Sequence, residues 1–88
     1  MMNSKMSLQL IYKELIDEFL VSSERCLLEI ERNNNDQLII NFLHYSDKYK
    51  TNNKLIQILE IYPDSHVRLK NLVIEVLRGR KIIQKGVK

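Results

Sequence analysis

The chain has no tryptophan and no alanine, and its 88 residues include only two glycines, one proline and one cysteine. Sandwiches and barrels turn every 8 to 12 residues or so and draw on Gly and Pro to do it, so this composition argues against an all-β fold. The lone thiol, Cys26, excludes an internal disulfide and a cysteine-based zinc cluster, and it points to a reducing compartment, hence to a cytoplasmic location. No stretch approaches the roughly 18 apolar residues of a membrane span, so none is expected. The apolar run from Leu8 meets Lys13, Glu14 and Asp17 too early for a signal-peptide core. Both glycines, Gly79 and Gly86, lie near the end of the chain, which leaves no Gly-rich phosphate loop.

What is present suits a folded domain: 44% of residues are hydrophobic and 28% charged. A single domain over 1–88 is expected, with 1–6 and 85–88 frayed. From Ser7 to about Arg32, Leu8, Tyr12, Leu15, Phe19, Cys26 and Ile30 recur at helical spacing and predict one long amphipathic helix capped by Ser7. Asn33, Asn34, Asn35 and Asp36 stop it. Leu38, Phe42, Tyr45 and Tyr49 repeat at spacings of 4, 3 and 4 and predict a second helix with Asp36 as its cap. Residues 54–62 fit either a short helix or a buried strand. A helix is chosen because a lone strand would have no pairing partner. Pro63 closes that element, and Leu69, Leu72, Val73, Val76 and Ile83 share a face of a last helix, which Gly79 leaves liable to fray or kink after Leu77. The expected architecture is all-α, an antiparallel bundle of about four helices, the first long and the third short.

Charge is polarised along the chain. Residues 1–36 carry four basic and seven acidic side chains, and residues 65–88 carry seven and one, within a net charge of +3. Mutual attraction between the first and last helices explains this without invoking a partner. A functional explanation sets Lys70, Arg78, Lys81 and Lys85 on one side of the last helix as contacts for an acidic partner or for phosphates. Val67 and Ile74 interrupt that side and favour a protein contact, since apolar groups gain nothing from a phosphate backbone. A second apolar line on the first helix, Leu10, Val21 and Leu28, suggests a ridge for a partner or for a second copy of the chain.

Enzyme chemistry finds little support. Cys26 falls on the predicted buried face, His44 and His66 are isolated and expected at the surface or its boundary, and Glu14, Asp17, Glu18 and Glu24 read as a solvated helix face. No catalytic residues, no metal ligands and no cofactor are expected. The sequence therefore reads as a small protein-binding regulator or adaptor, of the inhibitor, immunity, antitoxin or chaperone kind, acting through helix faces and able to homodimerise. The alternative is a nucleic-acid-binding module using the basic C-terminal helix.

Overall fold

The computed structural model describes residues 3–84. Its elements run α1 (Ser4–Val21), β1 (Cys26–Arg32), β2 (Leu38–Tyr45), β3 (Asn53–Leu59), a 3-10 turn (Pro63–Ser65) and α2 (His66–Leu77). The three strands form one antiparallel sheet in the order β1-β2-β3, and both helices pack on the same face of it. The fold is α+β, which corrects the expected all-α helical bundle.

α1 begins one turn earlier than expected, because Asn3 rather than Ser7 caps it: the Asn3 side chain accepts the Met6 amide at 2.8 Å. It also stops sooner, at Val21. There the Ser22 hydroxyl takes the Glu24 amide at 3.0 Å and donates to the Leu77 carbonyl, fastening the end of α1 to the end of α2. Beyond it the segment expected to continue the helix becomes β1. A helix would satisfy the backbone of 26–32 equally well. Only pairing with β2, however, also lays Leu28 against Phe42 and Ile30 against Ile40 over the core.

The expected second helix is β2, and 54–62 is largely β3. β2 is the central strand, with Ile40, Phe42 and His44 on the covered face opposite Ile58, Ile56 and Lys54 of β3. Its apolar residues occur on both faces, as in a strand flanked on both sides, and that conceals the two-residue period. The missing turn glycines are replaced by Asp36 (φ 61°) and Asn52 (φ 67°), both left-handed. Asn33 completes the first turn by accepting the amides of Asn35 and Gln37. The strand that seemed to lack a partner thus has one, contributed by another segment misread as helix.

The core lies between sheet and helices: Leu8, Ile11 and Leu15 from α1, Ile40, Phe42, Ile56 and Ile58 from the sheet, and Leu69, Val73 and Val76 from α2. α2 ends at Leu77 before left-handed Gly79, short of Ile83, which was expected on the same helical face. The segment after it is not loose, since Ile83 is buried in the same core. Among the described residues no helix is long and apolar enough to cross a membrane.

Candidate functional site

The residues singled out from the sequence do not converge. Leu10 is half-exposed on α1 and Val21 is exposed at its end, but Leu28 belongs to β1 and packs against the core, so the three form no ridge. On α2, Val67 is exposed and Ile74 is partly buried against the core. Lys70 reaches Glu14 at 3.3 Å, and Arg78 grips Glu18 with two hydrogen bonds of 2.9 and 2.7 Å. Two of the four basic residues therefore tie α2 to α1. The Arg78 guanidinium holds the Glu18 carboxyl below its usual range, and the carboxylate in turn raises Arg78. Lys81 lies past the end of α2, and Lys85 lies outside the described residues.

Both histidines are buried, contrary to expectation, because each acts as a polar tie in the core. His66 Nε2 lies 2.8 Å from the Leu59 carbonyl, which can only accept, so Nε2 carries the proton and Nδ1 accepts from the Ser7 hydroxyl at 3.2 Å. One ring thereby joins α1, β3 and α2. His44, 2% exposed, sits between Tyr49 Oη at 2.7 Å and Glu24 Oε1 at 2.8 Å. The Tyr49 oxygen also accepts the Ile83 amide at 2.8 Å. A polar recess of about 420 Å³ opens beside His44 and Glu24, bordered by Arg80 and Lys81. Among the described residues no buried side-chain polar atom lacks a partner, and no group of three or more His, Cys, Asp or Glu side chains could hold a metal ion. Burial pushes the Cys26 thiol up, with the Glu24 charge adding to it, which disfavours a reactive thiolate.

The least satisfied backbone is at the edge of the sheet. The Tyr45 amide donates to the Arg25 carbonyl and the Asn33 amide to the Gln37 carbonyl, both at 2.9 Å, so the odd-numbered residues of β1 form the hydrogen-bonded pairs with β2. The amides and carbonyls of Cys26, Leu28, Ile30 and Arg32 consequently point away from the sheet, and among the described residues nothing pairs with them. The side chains of the same residues face the helix layer. Ile30 on that covered face is nevertheless 37% exposed.

A groove of about 700 Å³ results, floored by Ile30 and Leu38 and walled by Met6, Tyr12 and Ile16 of α1. Its rim carries Lys5, Lys13 and Arg32. Two of these cations are already engaged. Lys5 pairs with Glu60 at 3.0 Å and donates to the Asp36 carbonyl, while Arg32 pairs with Asp36. The Leu38 amide and Lys5 hold Glu60 below the usual glutamate range, and Arg32 does the same to Asp36. The groove is therefore apolar in its walls and close to neutral at its rim. At the opposite edge of the sheet the β3 backbone is partly engaged, since His66 takes the Leu59 carbonyl.

Arg25, just ahead of β1, and Glu31, near its far end, carry no motif that singles them out in the sequence. The signal available was the alternation of Leu28 and Ile30 with charged neighbours, which helical spacing also accommodates. Comparison of the chain with protein-family models, curated proteins and solved structures found no match.

Proposed function

We propose that this chain is a protein-binding module that receives an extended segment along the free edge of β1. Its inward side chains would enter the groove beside α1. The observation that carries this reading is the coincidence of two unfilled features at one place. Cys26, Leu28, Ile30 and Arg32 offer outward amides and carbonyls, and directly beneath them lies an apolar groove that leaves Ile30 uncovered. Strand addition uses both at once: the backbone ladder supplies affinity, and pockets for alternate side chains supply specificity. Folded chains commonly shield an exposed edge with a proline, a bulge or charged side chains; β1 has no proline and no bulge, and its charges are Glu29 and Glu31 on the open face and Arg32 at its end, which leaves Leu28 and Ile30 on the covered face. The expectation of a regulator or adaptor is retained in this form, with a sheet edge and one flank of α1 in place of helix faces alone.

The test is selection of binders from a display library of unstructured peptides, followed by amide chemical-shift mapping. Binders should shift residues 26–32 together with Met6, Tyr12 and Ile16, and Ile30→Lys should weaken them at least tenfold while Leu10→Lys leaves them unchanged. Binders that map elsewhere, or that ignore Ile30→Lys, would remove the proposal.

A further inference from the structure

The edge of β1 is complementary to itself, and we infer that its occupant is a second copy of this chain, paired antiparallel about a two-fold axis at Leu28. This rests on reading the β1 edge as the docking surface and goes further by naming the partner and the register.

The register follows from parity and charge. Only even-numbered residues present free backbone groups, so even residues of one copy must pair with even residues of the other. Setting Leu28 opposite the partner's Ile30 places Glu29 against the partner's Glu29. Setting Ile30 opposite the partner's Ile30 places Glu29 against the partner's Glu31, twice. Like charges directly opposed across a ladder are destabilising. Centring on Leu28 instead places Arg25 against the partner's Glu31, and Leu27 against the partner's Glu29, on the open face. On the covered face Leu28 meets the partner's Leu28 and Cys26 meets the partner's Ile30. This register pairs residues 25–31 of one copy with residues 31–25 of the other. A shift centred on Leu27 would leave Ile30 opposite Glu24 and shorten the ladder.

The Arg25 side chain has no hydrogen-bond or ion-pair partner among the described residues, and the Glu31 carboxylate accepts only from the Asn41 side-chain amide, at 2.9 Å. The two lie six residues apart on one extended strand, about 20 Å, and cannot meet within a single copy. The two-fold axis would stand perpendicular to the sheet, giving six continuous strands with all helices on one face. The second α1 would then lie on the far side of the groove, so that Met6, Tyr12 and Ile16 of both copies face the same apolar space. Burying that space accounts for the exposure of Ile30, which no contact within one copy relieves.

The experiment is sedimentation equilibrium of the full chain from about 1 to 500 µM, with circular dichroism confirming that each variant is folded. The wild type should dimerise, and Arg25→Glu and Glu31→Arg should each weaken the dimer at least tenfold. Mixing the two variants should restore a dimer near wild-type affinity, because Glu at 25 in one copy then faces Arg at 31 in the other, while the native Glu31 and Arg25 form the second pair. This mixture requires no doubly substituted chain to fold. A wild type that remains monomeric at 500 µM, or a mixture no tighter than its components, would overturn the inference. If the chain is monomeric but displayed peptides still bind along residues 26–32, the second copy is excluded while the docking edge stands. If neither associates there, both readings fall.

Discussion

The Tyr49 hydroxyl lies 2.7 Å from His44 Nδ1 and, at the same time, accepts the Ile83 amide at 2.8 Å. The Glu24 carboxylate at Nε2 can only accept, so in the neutral ring Nδ1 is the acceptor and takes the Tyr49 hydroxyl proton. His44 then carries its proton on Nε2 and donates it to Glu24 at 2.8 Å. Four segments are joined by this arrangement: the entry to β1, the end of β2, the β2–β3 loop and the chain after α2. Tyr49 also meets the His44 ring edge to face, with centroids 5.4 Å apart.

Tyr49→Phe keeps the ring and removes the hydroxyl, leaving His44 Nδ1 and the Ile83 amide without a partner in buried surroundings. Each orphaned group costs about 1 to 3 kcal/mol, so a loss of about 2 to 4 kcal/mol is expected in urea denaturation. Amide exchange at Ile83 should rise well above that of the α2 interior. An unchanged exchange rate would show that the terminal segment is held by its apolar contacts alone.

Phe42→Ala should destabilise the protein by about 3 to 5 kcal/mol, because Phe42 is fully buried on the central strand. Phe19→Ala should cost clearly less, since Phe19 is only partly buried against the edge of the core. Equal losses for the two variants in urea denaturation would contradict this layering.

Acid should erode stability through Glu18, Asp36 and Glu60, whose folded-state pKa values are all lowered: Glu18 by Arg78, Asp36 by Arg32, and Glu60 by the Leu38 amide and Lys5. A lowered pKa contributes in full above the unfolded values near 4, is lost as pH falls through the folded values, and contributes nothing below them. Thermal melting temperatures should therefore fall below about pH 4, where these three carboxylates take up protons. Glu60→Gln should flatten part of that acid limb. A melt independent of pH between 5 and 2.5 would contradict the assignment.

Gly79→Ala should destabilise by about 1 kcal/mol or more, since Gly79 adopts φ +73°, which a β-carbon disfavours. The added carbon would also stand 3.4 Å from the Glu24 carboxylate that His44 binds. Asn52 in the β2–β3 loop poses the converse case: it is exposed and left-handed, so Asn52→Val should cost about 1 to 2 kcal/mol through the backbone alone. Chemical denaturation of both variants gives the comparison.

Sequence alone determined the elements whose order is local. The period of Leu69, Val73 and Val76 specifies α2, and α1 from Leu8 onward follows from Leu8, Ile11 and Leu15. The breaks at Asn33–Asp36, Asn52 and Pro63 are equally visible, because Asn and Asp enter the left-handed region and Pro interrupts a helix whatever surrounds it. The acidic first helix and basic last helix also meet as their charges imply, through Glu14 with Lys70 and Glu18 with Arg78. Tertiary structure decided the rest. Residues 26–32 and 38–45 carry apolar groups at spacings that satisfy a helix face and a strand face alike. What separates the two is the partner across the ladder, which lies in another part of the sequence. The unpaired edge of β1 is a property of the assembled sheet and so has no local signature. The burial of His44 and His66 likewise depends on Glu24, Tyr49, Ser7 and Leu59, groups brought together only when the helices close over the strands.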